Sequence, residues 1–380
     1  MNKRVITLIF LIAAIGIIFF LIRKKNNSTS TDKIKIGVVL PLSGPVAEPG
    51  KNVLSGIQIS VDAYNDTTKN NKIELIIEDS KSNPKDGVSA FKKLVEVDKA
   101  KIVIGDIMSS VFLATAPIAE KEKILLVSPG ASNPAVTNAG DYIFRDYTSD
   151  NYDGVVMAGY IYANLNKKRT AVAYVNNDYG VGVKDAFIAE YKKKGGIISA
   201  TESYAGGQTD LKTIARKLKE SQPECIYIVG NPAENGYLVK ELKNQDSKAQ
   251  ITGNLSFEDE SFYKIAGSAY DSIIFSSPYF NISSNDAYTR NFVTKYRVKY
   301  NKEPSVEAAL GYDVGGILIK ALADCKYNVK DIKDAMYRVQ NFEGVTGTTS
   351  FDANGDVKKT ILIKSIKKDK TVKIISNYFP

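Results

Sequence analysis

KIGVVLPLSGPVAEPGKNVLSGIQISVDAYNDTTKNNKIELIIE, residues 35–78, sets the pattern that decides the fold. KIGVVL (35–40) and IELIIE (73–78) are short runs rich in Ile and Val and read as buried strands. Between them, NVLSGIQISVDAYN (52–65) spaces its apolar residues at helical intervals. IVIG (102–105) and ILLVSP (124–129) continue the series, separated by the helix-like DGVSAFKKLVEVD (86–98) and SVFLATAPIAEKE (110–122). Near-continuous apolar strands joined by amphipathic helices predict a parallel sheet covered on both faces.

The rhythm restarts after YTSDN (147–151). TAVAYV, GIISATES, ECIYIVG, QIT and SIIFSS read as strands, alternating with the helix-like DGVVMAGYIYANL, GVGVKDAFIAEYKKK, DLKTIARKLKES and NPAENGYLVKELK. Two such series predict two similar α/β lobes. Beyond Pro278 come three more helical stretches, 286–300, 305–325 and 329–339. In the tail, Asn354-Gly355 reads as a turn between two alternating strands. Open sheets of this kind bind ligands beyond the carboxyl ends of their strands. The loops that matter are therefore 41–50, 105–110, 128–134, 176–180 and 230–236.

Composition removes most enzyme chemistries. The 380 residues include no His, no Trp and two Cys, Cys225 and Cys325. That excludes Ser-His-Asp and Cys-His catalysis, imidazole-ligated zinc, four-thiolate sites and iron–sulfur clusters. No cofactor or metal is expected. The net charge of +9 is concentrated at the start, where residues 1–25 hold five basic residues and no acid; the remainder carries 46 basic against 42 acidic residues. Signs are well mixed there, and no basic face interleaved with aromatics suggests nucleic acid.

Val5–Ile22 is eighteen residues without a charge. As a helix it would rise about 27 Å, enough to cross a thin hydrocarbon core. It runs directly into Arg23-Lys24-Lys25 with no small-residue cleavage site and no cysteine for lipidation, so residues 1–25 are expected to be an uncleaved signal-anchor. NNSTSTDK (26–33) reads as a short tether.

Two loops resemble nucleotide motifs and fail. PLSGPVAEPGKN places five residues between Gly44 and Gly50 and follows Lys51 with Asn, which is not a P-loop; Gly180 and Gly182 lack the third glycine of a dinucleotide fingerprint. More informative is IVIGDIMSSVFLATAPIAE, where a strand passes through Ser109-Ser110 directly into a helix. A hydroxyl beside free N–H groups at a positive helix end can hold a carboxylate or phosphate; it can equally be a plain serine cap. SPGASNP places Ser128 and Ser132 at the neighbouring strand end.

These stretches, together with IKIGVVLPLSGPVAEPGKN, SNPKDGVSAFKKLV, YIFRDYTSD, NNDYGVGVKDAF and FEGVTGTTSFDANGDV, resemble the leucine/isoleucine/valine-binding protein family, the extracytoplasmic receptors of branched-chain amino acid ABC transporters. The resemblance runs from about residue 33 to the end. It implies two Rossmann-like lobes joined by three crossovers, a type I periplasmic binding fold. Lobe 1 would take residues 34–147 and 279–354, and lobe 2 residues 148–278 and 355–380. By motif, Ser109 of the Ser109-Ser110 pair should hold the ligand carboxylate, and the Ala131 carbonyl and Ser132 hydroxyl the ammonium. Tyr179 should close over the ligand, and Met108 should line the side-chain pocket.

Three departures stand out. The family's acidic partner for the ammonium falls on Leu255, with Glu258 three residues on. Pro49 and Asn231 stand where aromatics are common. An amine-free carboxylate or amide is thus a competitor to an amino acid. The functional expectation is a monomeric, membrane-anchored solute receptor that delivers its ligand to a permease. A ligand sensor acting through a partner protein is the second reading and an enzyme the third. Cys225 and Cys325 are expected in different lobes, as buried thiols.

Overall fold

Every residue of Ile102–Gly105 and of Leu125–Ser128 is buried, which is the signature of strands covered on both faces. These strands, β3 and β4, belong to a five-stranded parallel sheet with β1 (Ile34–Leu40), β2 (Ile73–Asp79) and β5 (Ile143–Arg145), in the order β2-β1-β3-β4-β5. The computed structural model describes residues 33–379 apart from 70, 324, 326 and 327. The apolar segment 5–22, with the anchor expected from it, lies outside the described residues, as does the tether up to residue 32. Among the described residues no helix is long and apolar enough to cross a membrane.

Alternation along β1 sorts the first lobe's core. Ile36, Val38 and Leu40 point to one face, toward α1 (Ala47–Thr67), while Val39 points to the other, where α2 (Pro84–Lys92) and α3 (Ser109–Glu122) supply Phe91 and Phe112.

The second sheet has seven strands: β6 (Arg169–Val175), β7 (Ile197–Tyr204), β8 (Cys225–Val229), β9 (Gln250–Gly253), β10 (Ile274–Pro278), and from the tail β13 (Ile361–Ile366) and β14 (Val372–Tyr378). Its order is β14-β13-β10-β9-β8-β6-β7. It is parallel from β7 to β10, and β13 and β14 then add antiparallel to the edge. The helices α4 (Asp150–Gly159) and α5 (Asp178–Lys193) cover one face. The other face carries α6 (Lys212–Glu220), α7 (Pro232–Asn244) and α8 (Glu260–Ala266).

After β10 the chain returns to the first lobe as α9 (Ala287–Tyr300), α10 (Val306–Ala323) and α11 (Val329–Tyr337). Here α10 lies tightly against α1, backbone on backbone: a Cβ on Gly56 would stand 1.9 Å from the Ala308 carbonyl oxygen, and one on Gly311 2.1 Å from that of Val53. Only glycine permits that approach.

The strands on either side of Asn354-Gly355 do not pair with each other. A turn does form, with the Gly355 N–H donating to the Asp352 carbonyl and Gly355 at φ 72°. The strand before it, β12 (Gly347–Thr349), pairs with β11 (Phe342–Gly344), and the strand after it, β13, pairs with β10 and β14. The turn sits on the path between lobes: Phe351 and Val357 pack in the first core and Ile361 in the second. Tertiary burial of each strand overrides local hairpin chemistry.

Cys225 lies in β8 and Cys325 follows α10 beside the first core; no disulfide joins them.

Candidate functional site

In each sheet the first strand sits inside, with the second strand on one side and the third on the other. The order of connection therefore reverses between β1 and β3 in the first lobe and between β6 and β8 in the second. Such switch points open a crevice at the strand ends. The loops leaving them meet at one cavity enclosing about 130 Å³ of water-accessible space, the size of a small molecule.

From the first lobe the wall receives Val46, Pro49 and Val53 near the start of α1, Ile107, Met108 and Ser109 at the start of α3, and Gly130 and Ser132 after β4. The second lobe contributes Asn177 and Tyr179 after β6, Asn231 after β8, and Asn254, Leu255 and Ser256 after β9. Tyr147 on the first crossing and Glu307 and Leu310 in the first turns of α10 also line it.

The loop before α3 is held from below. Ser128 Oγ donates to the Asp106 carbonyl at 2.8 Å and accepts from the Ala131 N–H at 2.7 Å. Asp106 Oδ1 accepts from the Met108 N–H at 2.7 Å. Ser109 is the first helical residue, and its hydroxyl accepts the Asn133 N–H at 3.1 Å. The site thus places hydroxyls and the N–H groups of a helix start on one wall, where the helix dipole is positive.

Ser132 lies against Asp150, whose N–H donates to the Ser132 carbonyl at 2.8 Å. Burial holds the Asp150 carboxyl well above its ordinary pKa, with the Ser132 hydroxyl acting the other way. Across the cleft, Tyr179 Oη is bonded to Asn254 Nδ2, and burial raises the phenol far above its usual range. The lobes touch where Asn133 Nδ2 donates to the Asp178 carbonyl at the start of α5.

Of the residues expected to form the site, Met108, Ser109, Ser132, Tyr179, Asn231 and Leu255 line this cavity, as does Pro49. Ser110 and Ala131 do not. Ser110 is the second residue of α3, half-buried beside the wall, and Ala131 is fully buried with its carbonyl 3.5 Å from Arg145 Nη1. Glu258 faces a neighbouring cavity of about 350 Å³, and its carboxylate is held by Lys364 Nζ at 2.8 and 3.0 Å.

The structure adds Tyr147, Asn254, Ser256 and Glu307. Asn254 and Ser256 flank Leu255, so the departure noted there was a signal for them. Tyr147 stands in the YIFRDYTSD motif. Glu307 gave no signal beyond being an acid in a helix's first turn.

Two crossing segments brace the cleft: buried Arg145 bonds Asp356, and Lys359 bonds Asp146 at 2.8 Å with both side chains buried.

Residues 33–371 match the family described as periplasmic binding protein. The chain belongs to that family. A Leu/Ile/Val-binding protein homolog from Brucella melitensis is 28% identical over 333 residues, covering 85% of this chain and 88% of the relative. The leucine-binding protein LivK of Thermotoga maritima superposes with a TM-score of 0.87 at 28% identity, over 91% of this chain and 99% of that one. LivJ of Streptococcus pneumoniae, solved with isoleucine, gives 0.84 at 30% identity, over 90% and 99%. The type I periplasmic binding fold and the kinship with Leu/Ile/Val-binding proteins, both expected from sequence motifs, are thereby established. Members of the family are binding proteins.

Proposed function

We propose that this chain is the extracytoplasmic receptor of an ABC transporter. It captures a small carboxylate-bearing solute, an amino acid of branched-chain type, between its lobes and delivers it to a permease, held at the membrane by its N-terminal segment. The observation that carries the reading is the cavity where the two switch points face each other, with Ser109 and Ser132 on one wall and Tyr179 on the other.

Ser109 and the start of α3 suit a carboxylate, because N–H groups and dipole both favour negative charge there. Val46, Val53, Ile107, Met108 and Leu310 suit an aliphatic side chain. Tyr179 and Asn231 belong to the second lobe, so a ligand touches them and Ser109 together only when the lobes are drawn in. That differential contact drives closure without any bond being made or broken.

The test is thermal unfolding of the chain, stripped of ligand by unfolding and refolding, against aliphatic, aromatic and acidic amino acids and their deaminated counterparts. A ligand at a hundred times its dissociation constant adds about 2.7 kcal/mol, a readable shift. Stabilisation by none of the panel would remove this reading.

A further inference from the structure

Glu307 is the single charged side chain among the described residues lining the cavity. Among those residues it has no ion-pair partner, and the hydroxyl of Ser305, two residues back, is the side chain that bonds it. Its surroundings do not suit an isolated anion. Burial pushes its carboxyl up to about 7, the Ser305 hydroxyl opposes this, and the nearby carboxylates of Asp259 and Glu258 push it further up. Glu258 has its own cation in Lys364; Glu307 has none among the described residues.

An acid held half-buried and uncompensated on the wall of a binding cavity costs stability unless something else neutralises it. Its position is fixed by the backbone contact of α10 on α1, where Ala308, the next residue, meets Gly56.

Leu255 stands on the same part of the wall. It packs against the cluster formed by Val306, Ala308, Ala309 and Leu310, and both Leu255 and Glu307 separate the cavity from its neighbour. Leu255 is where an acid is expected from the family's motif. The charge missing from the second lobe's loop is therefore supplied next to it, from a helix of the first lobe.

We propose that Glu307 receives the ammonium of the ligand, and that the ligand is accordingly a zwitterionic amino acid and not an amine-free carboxylate or amide. The proposal rests on the cleft being the ligand site, as argued above. Ser109 and Glu307 then hold the two charged ends of one small molecule, both from the first lobe. The open protein can thus select the zwitterion before Tyr179 closes over it.

The experiment is calorimetric titration of the full chain in detergent, as wild type, Glu307→Gln and Ser109→Ala. The probes are L-leucine, L-isoleucine, L-valine and 4-methylpentanoate, which is leucine without its amine. Wild type should bind at least one amino acid and prefer leucine to 4-methylpentanoate. Glu307→Gln should weaken amino-acid binding by about 100-fold or more while leaving 4-methylpentanoate unchanged or improved; Ser109→Ala should weaken both.

Amino-acid affinity unchanged in Glu307→Gln but lost in Ser109→Ala overturns the role of Glu307 and leaves the cleft as the site. Preference of the wild type for 4-methylpentanoate does the same. Binding of no probe by wild type overturns both.

Should Glu307→Gln fail to fold, wild type alone decides. Titration with the bound amino acid near pH 7 in buffers of different ionisation enthalpy should show proton release as Glu307 ionises against the ammonium. The other groups facing it are Asp259, Tyr147, Tyr296 of α9 and the Glu258–Lys364 pair. Binding without proton release overturns the proposal.

Discussion

Arg145 Nε and Nη2 grip the two oxygens of Asp356 at 2.7 and 2.8 Å, tying the end of β5 to the third crossing between lobes, 211 residues along the chain. The guanidinium has no solvent exposure, and its remaining N–H groups donate to Thr137 Oγ1 and to the carbonyls of Ser132 and Asn133 at 2.9–3.0 Å. One buried cation thus orders both a crossing strand and the loop that carries Ser132 to the cavity.

Asp356→Ala removes the carboxylate bonded to that guanidinium and strands a buried charge. Breaking such a pair costs about 3–5 kcal/mol. Urea unfolding of wild type and variant should show a loss of that order. Binding should weaken as well, because Arg145 positions the carbonyls on both sides of the Ser132 peptide. A loss below about 1 kcal/mol would mean that the pair is dispensable, with the carbonyls alone sufficient for Arg145.

Ser109→Ala combined with Ser132→Ala tests the polar wall itself. The stability cost should be small, about 2 kcal/mol, since the bonds lost are those from the Asn133 N–H to Ser109 Oγ and from the Ser132 hydroxyl to Asp150. Ligand affinity should fall by about 100-fold or more, read by titration of the folded variant. Retained affinity in a folded double variant would place the ligand carboxylate elsewhere on the wall.

The lobes were legible because strands buried on both faces leave a continuous apolar run, and β3, β4 and β8 are such runs. The strand ends that carry Ser109, Ser132 and Tyr179 followed from the same alternation, since parallel sheets place ligands at those ends. What failed was whatever depends on the partner across space. The turn at Asn354-Gly355 is real, yet its flanking strands pair in different sheets. Ala131 lies in the right loop, but Arg145 stands beside its carbonyl. Glu307 was silent because an acid in a helix's first turn is ordinary, being favoured by the dipole. Only the contact of α10 on α1 and the approach of Leu255 turn it into a wall of the cavity.

Asp106 makes stability depend on pH. Burial pushes its carboxyl up to about 7, against the Ser80 hydroxyl and the Met108 and Ile107 N–H groups, with the negative charge of Asp79 adding to the rise. Its Oδ1 takes the Met108 N–H. The folded state therefore holds this proton more tightly than the unfolded chain does. The stability it contributes is complete below about pH 4, the unfolded value, and is lost as pH rises toward 7. Asp153, raised to about 6 by burial, acts in the same direction. Asp106→Asn keeps the acceptor for the Met108 N–H and removes the ionisation. It should make the protein a few kcal/mol more stable than wild type at pH 8, with the gap closing by pH 4.5. Urea unfolding of both proteins across that range gives the comparison. Parallel curves would show that Asp106 is ionised in the fold at neutral pH, its charge solvated or paired and its burial without consequence for stability.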